Sequence, residues 1–218
     1  MTGTLNVLLA ARDAGVKRVV FASSCAVYGD SPALPLNEEV PTRPLSPYAA
    51  SKLAGEGYCL AFHEVFGLPT VSLRYFNVFG PRQDPTSPYS AVIPKFITAA
   101  LNDEPLTIYG DGAQSRDFVY VSNVVAAVLL ACQAPTAAGQ VINISCGERY
   151  SLLDLIGHLK PLLPAKSLYV EHLDPRPGDV RHSQGDIQKA RLLLGYEPLV
   201  DLDAGLVQTV GLMGRAAN

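Results

Sequence analysis

The hydrophobic positions of this chain change period several times, and each change marks an element. Over residues 3–14 apolar side chains recur at helical spacing, through Leu5, Leu8 and Leu9 to Arg12, with Gly15 as a stop. Lys17-Arg18-Val19-Val20-Phe21-Ala22-Ser23 then reads as a buried parallel strand, apolar on both faces. A proline-rich loop (Pro32, Pro35, Pro41, Pro44) leads to a helix entered at Ser46-Pro47, with proline at its favoured first position. That helix is expected to run to about Phe66 and to stop at Gly67-Leu68-Pro69. Thr70-Val71-Ser72-Leu73-Arg74-Tyr75 is a second short buried strand.

From Asn77 onward the pattern loosens. It predicts a helix over 92–101, short strands over 106–109 and 117–120, and a helix over 122–133. A strand over 141–144 and a helix over 151–159 follow, and the last third reads as a smaller mixed lobe. Helix and strand alternating through short connections indicate α/β architecture, a doubly wound parallel sheet. Residues 1–90 are expected to form the later part of such a nucleotide-binding sheet. Residues 91–218 are expected to form mainly a substrate lobe, with 106–145 partly returning to the sheet.

One expected feature is missing. A dinucleotide-binding sheet of this kind opens with a strand, a glycine-rich turn and a helix, followed ~20 residues later by an acidic residue. Met1-Thr2-Gly3-Thr4 instead reads as the opening of a mid-domain helix. The G-x-G at Gly110-Asp111-Gly112 has Ser115 where a third glycine would stand and continues into a strand, so it is read as a tight turn.

Composition narrows the classes. The chain has 218 residues, 48% hydrophobic and 17% charged, which suits a packed core and not a disordered segment. The net charge is -3 and no lysine- or arginine-rich run occurs, which argues against nucleic acid and anionic membrane surfaces as partners. Cys25, Cys59, Cys132 and Cys146 are too widely spaced for a zinc site and read as buried or half-buried thiols; no metal is expected. No apolar run approaches the ~20 residues of a membrane span. Arg12, Asp13, Lys17 and Arg18 break up any signal-peptide pattern, so a cytoplasmic location is expected.

Tyr48 and Lys52 stand four residues apart, as neighbours on one helix face. Alone, that spacing is a weak signal. Ser24, however, follows a buried strand, and ligands bind at strand C-termini in open α/β sheets. A second strand ends at Arg74-Tyr75-Phe76-Asn77, lining the same crevice. A free phenol ionises near pH ~10 and is a poor base at neutrality. A nearby ammonium and a positively charged nicotinamide ring both favour the phenolate. Such a phenolate takes the proton of a substrate hydroxyl while hydride leaves the carbon, and Ser24 would hold that hydroxyl.

At these residues the chain resembles the extended short-chain dehydrogenase/reductase family. The motifs are Phe21-Ala22-Ser23-Ser24-Cys25-Ala26-Val27-Tyr28-Gly29, Ser46-Pro47-Tyr48-x-x-Ser51-Lys52 and Arg74-Tyr75-Phe76-Asn77-Val78-Phe79-Gly80-Pro81-Arg82. The likeness continues through Tyr109-Gly110-Asp111-Gly112-x-x-x-Arg116-Asp117-Phe118 and Pro175-Arg176-Pro177-Gly178-Asp179-Val180-Arg181-His182-Ser183, over essentially the whole chain. Within that family it is most similar to the UDP-sugar 4-epimerases. The resemblance implies a Rossmann-type fold, NAD as cofactor and a UDP-sugar as substrate. It implies Ser24 and Tyr48 as the catalytic pair, with Lys52 tuning Tyr48 and binding the nicotinamide ribose. Tyr75 and Phe76 would lie near the nicotinamide, and Asn77, Val92, Thr107, Tyr109, Arg116, Arg176 and Asp179 would hold the UDP part. The helices over 3–14 and 47–66 resemble those of the family's four-helix homodimer interface.

The same motifs argue against sibling activities. The family's dehydratases carry an Asp-Glu pair after the serine or threonine, and the UDP-glucuronate decarboxylases a glutamate. This chain has Cys25 and Ala26 there. Hydride transfer out and back through a 4-keto sugar is therefore the simplest reading. The resemblance to the 4-epimerases implies that the residue four after the Pro-Gly-Asp aspartate limits space beside the sugar's 2-position. Here it is the small Ser183, which leans towards an N-acetylated sugar over, or beside, a plain hexose. With no glycine-rich half, the sheet is expected to leave an unpaired edge and an exposed apolar face. Two origins stand open: a truncated reading of a 4-epimerase, inactive or impaired in this form, or a non-catalytic UDP-sugar-binding or interaction remnant. Another nucleotide-sugar epimerase or decarboxylase activity is a further alternative.

Overall fold

The computed structural model describes residues 2–84, 91–163, 168–176 and 178–216. Helix α1 (Thr2–Asp13) leads to strand β1 (Val19–Ser24), a 3-10 turn over Cys25–Tyr28, helix α2 (Pro47–Phe66) and strand β2 (Thr70–Tyr75). Each boundary has a local cause. Ser46 Oγ accepts from the Ala49 amide at 3.1 Å and Pro47 fills the first helical position, so α2 starts there. Gly67 ends it in the left-handed region, φ 65°, where a side chain would be strained. The strand begins at Val19 and not at Lys17, because Arg18 turns away to donate to Ala131 and Ala134 carbonyls, both at 2.7 Å.

After β2 the chain bends at Phe76 and continues as β3 (Asn77–Phe79). Then come α3 (Val92–Leu101), β4 (Leu106–Tyr109), β5 (Ser115–Arg116), β6 (Phe118–Tyr120) and α4 (Val121–Gln133). The strand expected over 117–120 starts at Phe118. β5 before it pairs antiparallel with β8 (Tyr150–Ser151), and Asp117 between the two turns inward. β7 (Gln140–Ile144), α5 (Leu152–Leu159), β9 (Val170–Leu173), α6 (Gln188–Leu194) and α7 (Leu202–Ala216) complete the described chain. Beyond residue 159 the hydrophobic pattern predicted no individual element, so β9, α6 and α7 are additions, as are the short β3, β5 and β8.

The central sheet is parallel, in the order β1-β2-β7, with Ser23 opposite Arg74 and Ser24 opposite Tyr75. It is wound on both faces, as the α/β reading requires. Val19 and Phe21 join Leu8, Ala11, Cys59 and Phe62 under α1 and α2. On the other face Val20, Val71, Leu73 and Ile142 pack with Val124, Ala127 and Ala190 from α4 and α6. A separate cluster of Phe79, Ile93, Phe96, Ile108, Leu155 and Leu206 joins α3, β4, α5 and α7. β4 carries β9 as its parallel neighbour, and β3 pairs with β6.

Among the described residues β1 is one of the sheet's two outer strands. Its Val19, Val20 and Phe21 are half-buried and Ala22 is exposed, which matches the expected open edge. Cys132 departs from the expectation of covered thiols. It lies exposed near the end of α4. No described helix is long and apolar enough to cross a membrane.

Candidate functional site

The strand ends and the loops beyond them build the site. Ser24 closes β1, and its Oγ accepts from the Ala26 amide at 3.2 Å, capping the turn that follows. Tyr48 sits in the first turn of α2 with its ring 54% exposed. Lys52, one turn on, donates from Nζ to the Ala22 carbonyl at 2.8 Å and lies 5.5 Å from the Tyr48 ring centroid. The ammonium thus joins α2 to the strand that ends in Ser24. Tyr75 closes β2 in register with Ser24, its phenol held protonated above the usual range by burial. Phe76 is buried just beyond it.

A cavity of about 200 Å³ opens beside these strand ends. It gathers Asn77, Val92, Thr107, Tyr109, Arg116, Arg176 and Asp179, all seven positions expected to hold the UDP part. They come from β3, α3, β4, β5 and the loop before residue 180, so only the fold assembles them. The cations are already partnered. Arg116 Nη2 donates to Asp179 Oδ1 at 2.5 Å, and the Arg176 guanidinium lies 3.5 Å from the centroid of the Tyr109 ring. Among the described residues, Asn77 Oδ1 and Gln114 Oε1 are buried acceptors without a donor. An unsatisfied buried acceptor costs ~1–3 kcal/mol, so the cavity favours a ligand that brings N–H or O–H groups together with negative charge.

Ser183 is buried and lies outside this lining, beside Ser24's neighbour. It neighbours the Cys25 thiol, which burial pushes up to about 11. Cys25 therefore stays protonated at neutral pH and offers no general base, in line with the sequence argument.

Three contributors escaped the sequence reading. Gln114 lines the cavity and donates from Nε2 to the Tyr109 carbonyl at 2.7 Å. Lys95 lines it from α3, one turn after Val92. Arg181 grips Asp111 with two bonds of 2.7 Å, tying the β4–β5 turn to the loop that carries Arg176 and Asp179. That pair holds the Asp111 carboxyl well below the usual carboxylate range. Lys95 was open to recognition, since helical spacing places it on Val92's side. Gln114 carried no signal, because a single amide in a turn has no periodicity.

The donor set also suits one end of a nicotinamide dinucleotide. A phenol and an ammonium stand at the open end of β1, with a half-buried aromatic ring on the next strand. Among the described residues, Tyr48's hydroxyl has no hydrogen-bond partner to displace.

Comparison with known proteins agrees with this geometry. Residues 1–145 match the model of the NAD dependent epimerase/dehydratase family. The UDP-glucose 4-epimerase of Mycolicibacterium smegmatis is 39% identical over 211 residues, covering 96% of this chain and 66% of the relative. The chain thus spans just under two thirds of that relative's length. The structure of UDP-N-acetylglucosamine 4-epimerase from Methanobrevibacter ruminantium in complex with UDP-N-acetylmuramic acid superposes with a TM-score of 0.94 at 42% identity, over 99% of this chain and 69% of that one. UDP-glucuronic acid 4-epimerase from Bacillus cereus, in complex with UDP-glucuronic acid and NAD, superposes with a TM-score of 0.90 at 36% identity, over 98% of this chain and 66% of that one. With strand-end serine, helix-borne Tyr48 and Lys52 and the two-arginine cavity in one doubly wound sheet, the chain belongs to the NAD dependent epimerase/dehydratase family.

Proposed function

We propose that the protein interconverts the C4 epimers of a UDP-linked sugar, with NAD as its cofactor. The observation that carries this reading is the cavity: two arginines, an aspartate and two donor-seeking amides line it, and its Asn77 follows Tyr75, the register partner of Ser24, by two residues. When bound, NAD supplies a reversible hydride acceptor. Arg116 and Arg176 exchange their present partners for the pyrophosphate, whose geometry matches a guanidinium fork. Asp179, released from Arg116, accepts from ribose hydroxyls. Asn77 and Gln114 accept from the remaining donors of the nucleoside.

At the sugar, Ser24 Oγ holds the 4-hydroxyl and Tyr48 takes its proton. Lys52, anchored on the Ala22 carbonyl, sets its ammonium beside the Tyr48 ring. The proton then returns from Tyr48 to the 4-oxygen once the keto sugar has turned its other face. Neutral Cys25 and Ala26 leave that keto sugar without an acid–base pair for elimination. The small Ser183 beside Cys25 favours a substrate with an N-acetyl group at its 2-position.

The division of labour expected from the sequence is part of this proposal. Residues 1–90 would serve the cofactor and 91–218 mainly the UDP-sugar, supported by the separate cluster of α3, β4, α5 and α7. Homodimerisation through α1 and α2 and a cytoplasmic location complete it.

NAD released by acid from the purified protein and quantified per chain, followed by epimerisation assays with UDP-N-acetylglucosamine and UDP-glucose, tests the reading. Stoichiometric NAD with C4 interconversion supports it. Tight UDP-sugar binding with neither NAD nor turnover would establish the binding remnant in its place.

A further inference from the structure

Helix α2 carries a third functional group, this one buried, on the face that holds Tyr48 and Lys52. Glu56 follows them at the same four-residue spacing and is 5% exposed. Its Oε1 accepts from Ser23 Oγ at 2.5 Å and from Arg74 Nε at 2.9 Å, and its Oε2 accepts from Arg74 Nη2 at 2.7 Å. Ser23 and Arg74 are register partners, one row before Ser24 and Tyr75. One carboxylate therefore binds α2 to β1 and β2 directly beneath the row where chemistry is proposed. Arg74 is itself fixed. Its guanidinium lies 4.7 Å from the Tyr28 ring centroid, and the Tyr28 hydroxyl donates to Asn143 Oδ1 at 2.7 Å.

The approach of helix to strand is set next door. A Cβ at Gly55 would fall 2.2 Å from Phe21 Cζ, so α2 lies closer to β1 than any side chain at 55 would allow. Contact at Gly55 fixes distance but leaves sliding and rotation free. A helix advances ~1.5 Å and turns ~100° per residue, so a small slip would carry Tyr48 and Lys52 off the strand ends. Directional bonds to two strands remove that freedom. Apolar packing of equal volume would serve stability as well, because a buried ion pair gains little net energy over a hydrophobic one.

We propose that Glu56, with Ser23 and Arg74, is the positioning device that holds Tyr48 and Lys52 in register with Ser24 and Tyr75. The inference rests on the function proposed above. None of the three residues touches the substrate cavity.

The experiment compares Ser23→Ala and Glu56→Asp with Thr70→Val in the purified protein. Ser23→Ala cuts the β1 link and leaves the ion pair intact. Glu56→Asp keeps the charge and shortens its reach. Thr70→Val removes a buried tie of α2 to β2, Thr70 Oγ1 to the Cys59 carbonyl at 2.7 Å, away from the strand ends. Expected are a fall in kcat of about tenfold for Ser23→Ala and Glu56→Asp, KM for the UDP-sugar within about twofold, and an unchanged kcat for Thr70→Val at a comparable loss of Tm. Activity that follows Tm alike in all three, or a change confined to KM, overturns the proposal. Hydrogen exchange over residues 47–58 supplies a reading without turnover. Faster exchange at its N-terminal turns in Ser23→Ala than in Thr70→Val supports positioning, and equal exchange overturns it. If the unsubstituted protein turns over no UDP-sugar, the proposed function fails, and the exchange comparison alone decides the role of Glu56.

Discussion

Tyr48 and Asp117 show two ways in which a single residue matters here. Tyr48 is exposed and, among the described residues, its hydroxyl has no hydrogen-bond partner, so removing that hydroxyl leaves packing undisturbed. Tyr48→Phe is expected to lower turnover about 10²–10⁴-fold while UDP-sugar binding, followed by calorimetry, stays near its original affinity. Asp117 is fully buried, and its carboxylate accepts from the amides of Cys146, Gly147 and Gly185 at 2.8, 3.0 and 3.1 Å. Burial outweighs those bonds and pushes its carboxyl up to about 7. An unfolded aspartate titrates near ~3.9, so the native state holds this proton more tightly. Its stabilising contribution is complete below that value and is lost as pH rises through about 7. Between pH ~4 and about 7 the unsubstituted protein should therefore lose stability faster than Asp117→Asn, by up to ~1.4 kcal/mol per pH unit. Denaturant melts at several pH values check this; parallel slopes would show that Asp117 keeps an ordinary pKa. The spacing of Tyr48 and Lys52 was legible in the sequence, whereas Asp117 stood there only as a member of the motif that runs from Tyr109 to Phe118.

Helix α2 was the most legible element, because its signals are local. Ser46, Pro47 and Gly67 mark its ends within a residue of the observed bounds. Ser46→Ala should cost ~1 kcal/mol through the lost cap, measured by chemical denaturation. Gly55→Ala should cost ~1–3 kcal/mol, because the added methyl meets the Phe21 ring while the helix is held to both strands. An unchanged midpoint would mean that α2 can lift away from β1 freely. Helix α7 was the least legible. Gly205, Gly211 and Gly214 interrupt it with weak helix formers, and its amphipathic signal is diluted. Tertiary packing explains one of them: a Cβ at Gly205 would lie 2.7 Å from Phe79 Cζ and 2.9 Å from Tyr120 Cδ2. Strands β3, β5 and β8 have three, two and two residues, too few for a period of two to show.

At the scale of the molecule, the sheet is covered on both faces, and α1 and α2 present apolar side chains outward. Val7, Leu60 and Val65 are 61, 48 and 72% exposed. Their burial between two copies would fit the proposed homodimer. Val65→Glu is then expected to shift the protein to monomer in analytical ultracentrifugation with the cavity's UDP affinity unchanged. A monomeric unsubstituted protein would remove the dimer from the proposal. The cavity lies beside the sheet's strand ends and depends on partners distant in the chain. Arg116 reaches Asp179 across 63 positions and Arg181 reaches Asp111 across 70.

What the sequence determined by itself was everything governed by neighbours within a turn or two: caps, breakers, the four-residue step from Tyr48 to Lys52, and the alternation that requires a wound parallel sheet. It also carried the order of the motifs, which brought the family resemblance and the list of cavity residues. The tertiary structure alone decided which acceptors are left without donors, that Asp117 is buried among backbone amides, and that Glu56 meets Ser23 and Arg74. Those properties depend on desolvation and on contacts between segments far apart in the chain. Neither is encoded in spacing, because a side chain's surroundings are set only when the sheet closes around it.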